Sequence, residues 1–246
     1  MAYQVQPIIP ARSGLHFHHF HHFHHFYHFH LISANMQIPF SLENSASPME
    51  TLSLEGGDIF YYPGFLDAGE ADESYTKLAT STPWQQDTIS FGGKPVLIPR
   101  LQAWYGDKNS RYGYSGLALN PLPWTPLLSA LRSRVEDAVA LPFNSALVNY
   151  YRNGQDSVAW HSDDEKELGS DPVIASLSLG ATRRFDLRHR QNKGQKFSCE
   201  LAGGSLLVMG SGIQHNWQHQ VPKQPIIEKG RINLTFRWVK PDIPQL

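Results

Sequence analysis

The stretch Arg231-Ile232-Asn233-Leu234-Thr235-Phe236-Arg237-Trp238 decides how the rest of the chain is read. Every odd position is polar and every even one apolar, the period of a β-strand with one face on a core. The polar face carries two arginines, an amide and a hydroxyl. Such a face usually turns to water in a half-exposed sheet. Yet Asn is a poor strand former, and a solvated face would more often carry Lys, Glu and Thr. The alternative is a barrel interior that grips a small dianion, with guanidinium forks for its carboxylates and polar donors to orient them.

Upstream, the same period of two begins after Pro142. Candidate strands occupy 145–151, 156–162, 173–179, 183–188, 196–201, 205–209, 215–220 and 231–239, with Gly turns between them. Helices come first. Asp67 caps one that runs to about Ala79, and Glu70 completes a capping box. Thr125 caps a second, with Pro126 in its first turn and Leu127, Leu131, Val135 and Val139 on one stripe. Asp58-Ile59-Phe60-Tyr61-Tyr62 reads as a strand, and 84–120 as short strand-like pieces rich in Trp, Tyr and Phe. Helices followed by many short strands predict an α+β chain ending in a sandwich or jelly roll.

Within that frame, Trp160-His161-Ser162-Asp163-Asp164 is the candidate for chemistry. In an extended segment His161 and Asp163 project to one side and can cover two adjacent corners of a divalent metal. A second histidine would complete a facial set of two His and one carboxylate, with open positions suited to non-haem Fe(II). On its own, a His-x-Asp tripeptide more often lies at the surface with both side chains in water. His215 and His219 share a face of the expected 215–220 strand, so strand parity leaves both open as the third ligand. Asn149 and Tyr151 share a face just upstream of His161, where an amide and a phenol can hydrogen-bond a carboxylate or keto acid.

Length and composition set the bounds. A chain of 246 residues, 41% of them hydrophobic and 17% charged, is one large domain or two small ones with a sizeable core. No run approaches the ~18 apolar residues of a membrane span. The single Cys199 cannot form an internal disulfide, which points to a reducing compartment, cytoplasm or nucleus, and away from secretion. A net charge of -1 carries no global nucleic-acid signature. Residues 1–50 stand apart: His16 to His30 repeats His and Phe with almost nothing else. That tract reads either as a metal-binding segment or, preferably, as a disordered tail or an upstream stretch ahead of a start at Met36 or Met49.

Taken together, several motifs resemble the AlkB family of Fe(II)- and 2-oxoglutarate-dependent dioxygenases, in its DNA-repair branch. They are Asn149-x-Tyr151, His161-x-Asp163-Asp164, the run from Ile174 to Arg183, Trp217-Gln218-His219, Arg231-x-Asn233-Leu234-Thr235-Phe236-Arg237 and Trp104-Tyr105-Gly106-Asp107. They stand in order from about residue 57 to 240. The resemblance implies a double-stranded β-helix in 51–246 with a nucleotide-recognition lid at about 84–120. It implies iron on His161, Asp163 and His219, with His215 left as a neighbour or surface residue. Asn149, Tyr151, Arg231, Asn233, Thr235 and Arg237 would surround 2-oxoglutarate, Arg231 at its distal carboxylate and Arg237 nearer the metal. Phe91, Gly92, Trp104, Tyr105, Gly106, Asp107, Asp164 and Arg183 would meet the substrate, with a basic surface from Arg183 to Lys196 for phosphates and His189 solvated or near phosphate. The expected partner is DNA, or RNA, carrying N-alkylated bases such as 1-methyladenine and 3-methylcytosine. A monomer would act there without a membrane, consuming O2 and releasing formaldehyde, succinate and CO2. The other reading keeps iron and cosubstrate but oxidises a protein, lipid or small molecule. A third is a metal-stabilised binding module without turnover, against which the cosubstrate set argues.

Overall fold

A computed structural model describes residues 49–240 apart from 109, 111, 115, 116 and 120. Of the expected tail, residues 1–50, all but the last two lie outside the described residues. Strands β1 (Glu50–Leu54) and β2 (Gly57–Tyr62) form a hairpin ahead of helix α1 (Ala68–Ser81). Next come the β3 (Thr88–Phe91) and β4 (Lys94–Leu97) hairpin, strand β5 (Leu101–Gly106), and the short pair β6 (Tyr112–Tyr114) and β7 (Leu117–Leu119). After helix α2 (Pro126–Val139) the chain is nearly all strand: β8 (Ser145–Tyr151), β9 (Val158–His161), β10 (Ile174–Gly180), β11 (Arg183–His189), β12 (Lys196–Leu201) and β13 (Leu206–Met209). The one-turn helix α3 (Ile213–Asn216) then leads into β14 (Trp217–Val221) and the last strand, β15 (Arg231–Arg237).

Both main helices start where side-chain chemistry places them. Asp67 Oδ1 accepts the Glu70 N–H at 2.9 Å while Glu70 Oε2 accepts the Asp67 N–H, the reciprocal box expected. Thr125 Oγ1 accepts the Leu128 N–H, and Pro126 begins α2. The buried stripe is Leu128, Leu131, Val135 and Val139, with Leu128 in the place expected of Leu127. Strand β1 was not expected: it pairs with β2 over Glu50–Leu54.

Two antiparallel sheets make the double-stranded β-helix. The major sheet runs β1-β2-β13-β10-β15-β8-β5 and the minor one β12-β11-β14-β9. The alternation of β15 divides the interior. Ile232, Leu234 and Phe236 pack with Val148, Leu177, Leu128 and Val135 in the core between major sheet and helices. Each such fully buried side chain contributes about 1.5–3 kcal/mol. Arg231, Asn233, Thr235 and Arg237 turn the other way, between the two sheets, and all four are buried. The strand's polar face therefore looks into the molecule, not into water.

Strand β5 is the edge strand of the major sheet, paired with β8, so residues 101–106 of the expected lid segment are part of that sheet. Trp104 and Tyr105 are 4% and 3% exposed and pack into the two cores. Trp238 is half-exposed beyond the end of β15, because the strand stops at Arg237.

Candidate active site

Strand pairing builds the metal-ligating cluster. His161 ends β9 and stands opposite His219 of β14 in register. The chain then leaves the sheet, and Asp163 turns back between them. One ligand atom from each of His161, Asp163 and His219 lies within 4.8 Å of the others, so this set can hold a metal ion. His161 Nδ1 sits 2.8 Å from the Ala159 carbonyl, which assigns the proton to Nδ1 and leaves the Nε2 lone pair free. His219 stacks on Phe185, with ring centroids 5.4 Å apart. The Asp163 N–H is held by Gln214 Oε1 at 2.9 Å, from the buried turn of α3.

The electrostatics suit a cation. Burial pushes both imidazoles down, His219 to about 3, so they are neutral electron-pair donors at neutral pH. Burial alone would raise Asp163, but its surroundings, the Arg237 guanidinium first among them, outweigh it and hold the carboxyl at about 2. Arg237 Nη2 lies 2.9 Å from Asp163 Oδ1. The carboxylate is thus ionised and already oriented.

The cluster opens into a narrow cavity between the sheets. Its far end holds Tyr151 and Arg231, register partners on β8 and β15. Arg231 is 1% exposed, donates through Nη2 to Ser178 Oγ at 2.9 Å, and among the described residues has no hydrogen-bond partner at Nε or Nη1. Burial lowers it to about 10, which still leaves it charged. A buried guanidinium with two idle donors is costly unless an anion completes it. The donor set therefore fits a metal at one end of the cavity and a carboxylate at the other.

The remaining expected residues divide. Asn149 lines the cavity and accepts from Arg100 Nε at 2.8 Å. Asn233 and Thr235 line it too but are tied into a ladder, Thr235 Oγ1 to Asn233 Oδ1 at 2.9 Å and Asn233 Nδ2 to Ser176 Oγ at 2.8 Å. Asp164 is on the surface in an ion pair with Arg190, 2.8 Å. Gly92 is in the β3–β4 turn, and the side chain of Phe91 lies outside the described residues. Gly106 approaches Ser110 and the Asn144 carbonyl too closely for a Cβ, and Asp107 accepts from Trp124 Nε1 at 2.8 Å.

Four further expectations are corrected. His215 is not on the face of a strand with His219: it belongs to α3, outside the cluster, because the backbone makes one helical turn before β14 begins. Arg183 is 1% exposed and bonded to backbone carbonyls, so it offers nothing to a phosphate. Of its basic neighbours, Arg184 pairs with Asp186, while Arg188 binds Gln218 and lies 4.3 Å from the Trp160 ring centroid. His189 is buried edge-on to Trp217, its Nδ1 accepting the Asn192 N–H at 3.0 Å. Arg100 and Gln214 were missed: each partners a site residue about fifty positions away, and nothing in its local pattern marks it.

The profile of the 2OG-Fe(II) oxygenase superfamily matches residues 58–237. Over 193 residues the chain is 44% identical to Alpha-ketoglutarate-dependent dioxygenase alkB homolog 3 of Homo sapiens and 45% to that of Mus musculus, covering 75% of this chain and 67% of each relative. The chain spans about two thirds of the length of those relatives. It is 37% identical over 207 residues to DNA oxidative demethylase ALKBH2 of Homo sapiens, 80% of this chain and 79% of that one. Among solved structures, OsALKBH1 superposes with a TM-score of 0.55 at 20% identity, over 77% of this chain and 100% of the other, which speaks for a shared fold.

Proposed function

The chain belongs to the 2OG-Fe(II) oxygenase superfamily, and from that premise we propose that it dealkylates N-alkylated nucleic-acid bases such as 1-methyladenine and 3-methylcytosine. It is a dioxygenase of the Fe(II)- and 2-oxoglutarate-dependent class. The observation that carries the chemistry is one cavity with a two-His, one-carboxylate cluster at one end and an incompletely bonded buried arginine at the other. The nucleic-acid substrate rests on the similarity to relatives named as DNA oxidative demethylases.

His161, Asp163 and His219 would hold Fe(II), and Arg231 with Tyr151 would receive the distal carboxylate of 2-oxoglutarate. With O2 these groups supply the oxidation of an N-alkyl carbon, while 2-oxoglutarate leaves as succinate and CO2. Arg237 keeps Asp163 ionised. Arg100 orients the Asn149 amide at the cavity wall. The buried walls exclude water from everything except the His161 side, where 27% of that side chain stays exposed and a substrate carbon can approach. The hydroxylated alkyl group then breaks its C–N bond: the electron pair returns to the ring nitrogen, the hydroxyl gives up its proton, and formaldehyde leaves.

A base inside a duplex must first be flipped out, which costs a few kcal/mol. The hairpin β3–β4 and the pair β6–β7 are the lid in this reading, on a catalytic domain of residues 51–246, acting as a monomer in nucleus or cytoplasm. Asp164 would exchange Arg190 for a cationic alkylated base. The test is release of formaldehyde and succinate from 1-methyladenine and 3-methylcytosine oligomers, as single and double strands of DNA and RNA. Succinate without formaldehyde from any of them would leave the oxygenase and remove the nucleic-acid substrate.

A further inference from the structure

Arg183 opens β11 with its side chain buried, yet it touches neither the metal cluster nor the cavity. Its guanidinium donates to the carbonyls of Asn153 (3.1 Å), Asp156 (2.8 Å) and Pro222 (2.7 Å), and Nε to Gln224 Oε1 at 3.2 Å. These acceptors come from two loops, 152–157 and 222–230. The first joins β8, with Asn149 and Tyr151, to β9, with His161. The second joins β14, with His219, to β15, with Arg231 and Arg237. The loops also bond each other directly, Gly154 N to Ile227 O at 2.6 Å and Gln224 N to Gly154 O at 2.8 Å. They approach so closely that a Cβ on Gly154 would sit 1.8 Å from the Gln224 carbonyl.

The charge is as notable as the geometry. Arg183 Cζ and Arg231 Cζ lie 5.6 and 5.4 Å from the centroid of the same ring, that of Tyr151. Among the described residues neither guanidinium has a carboxylate in ion-pair contact; the nearby Asp156 carboxylate is taken by Arg152. Arg183 is solvated by carbonyls and lies near Asp156 and Glu200, whereas Arg231 keeps donors to spare, so the two cations beside one phenol leave the far end of the cavity ready for an anion.

We propose that Arg183 is a positioning residue for the cosubstrate's second carboxylate: from behind Tyr151 it holds the two loops and supplies a second positive charge, which makes the cavity select a 2-oxo dicarboxylate over a 2-oxo monocarboxylate. It acts through Tyr151 and Arg231 and does not contact the ligand. The inference rests on the proposed placement of 2-oxoglutarate against Arg231.

The experiment measures anaerobic binding of 2-oxoglutarate and of 2-oxobutyrate, which lacks the distal carboxylate, to the full chain loaded with Mn(II). The variants are Arg183→Lys, Arg183→Met, Gln224→Ala and, as a control on the clamp itself, Arg231→Met. Arg183→Met weakens 2-oxoglutarate by about tenfold or more and leaves 2-oxobutyrate unchanged. Arg183→Lys, which keeps the charge and loses the fork, falls between Met and wild type. Gln224→Ala weakens 2-oxoglutarate by a smaller factor. If Arg183→Met does not fold, the Lys and Gln224 variants decide by the same ratio. Equal loss of both ligands in these variants, or loss of neither, overturns the proposal and leaves Arg183 as a loop fastener. If Arg231→Met binds 2-oxoglutarate as wild type does, the clamp reading fails and the role of Arg183 fails with it.

Discussion

His161 and His219 are register partners across the β9–β14 pair, with ring centroids 4.2 Å apart. Two imidazoles that close, both neutral and both beside the ionised Asp163, form a site whose metal affinity needs all three. His219→Ala should lose stoichiometric iron and the formation of succinate. His215→Ala, one turn away in α3, should keep both. Iron content and succinate yield of the two folded variants decide it, and a dead His215→Ala would overturn the assignment.

Gln214 accepts the Asp163 N–H at 2.9 Å and is itself 1% exposed. Removing that acceptor orphans a buried donor, at about 1–3 kcal/mol, and frees the backbone that aims the carboxylate. Gln214→Leu should weaken Fe(II) binding about 10–100-fold and be rescued by excess iron. Wild-type affinity in the variant would show that the Asp163 loop orients itself.

Asp164 pairs with Arg190 at the surface, and its side chain is 53% exposed. Surface pairs of this kind contribute about 0–1 kcal/mol, so Asp164→Ala should barely move Tm. Decarboxylation of 2-oxoglutarate should persist while base dealkylation falls. Parallel loss of both activities would place Asp164 in support of the metal.

Burial alone would raise the Asp156 carboxyl, yet the bonds it takes from the Arg152 side chain and backbone N–H bring it below its ordinary value. A depressed carboxyl stabilises the fold above its unfolded pKa of about 3.9, and the contribution disappears as pH falls through the folded value. Asp156→Asn should therefore lower stability at neutral pH and flatten its fall below about pH 4. Denaturant titrations across that range are the check, and curves of equal slope would remove Asp156 as a source of acid sensitivity.

Much of the fold could be read from the chain itself, because its signals are local. The Asp67–Glu70 box, the Thr125-Pro126 start and the alternation of β8 and β15 depend on neighbours within a few residues. What could not be read is direction. Alternation says that Arg231 and Ile232 point apart, but only the second sheet decides that the arginine side is the inside. Parity likewise misled at 215–220, where Gly212 at φ +80° starts a helical turn that no strand pattern announces. Arg100, Gln214 and Arg183 owe their places to partners 27 to 51 residues away in sequence. Charge made Arg183 look like a surface residue, since a buried arginine and a phosphate-facing one are spelled alike.

Strand β15 lies inside the major sheet, hydrogen-bonded to β10 on one side and β8 on the other. Its amide protons can exchange with solvent only when the whole sheet opens, so Arg231 to Arg237 should report the global unfolding free energy. Among the described residues the β3–β4 hairpin forms a two-stranded sheet of its own, and every residue of β4 is exposed. Its amides should exchange through local opening, far faster and with little dependence on denaturant. Hydrogen exchange would then divide the molecule into a rigid sheet that carries the arginines and a yielding hairpin beside it. Fluctuations of that hairpin need not disturb the geometry of the arginine face.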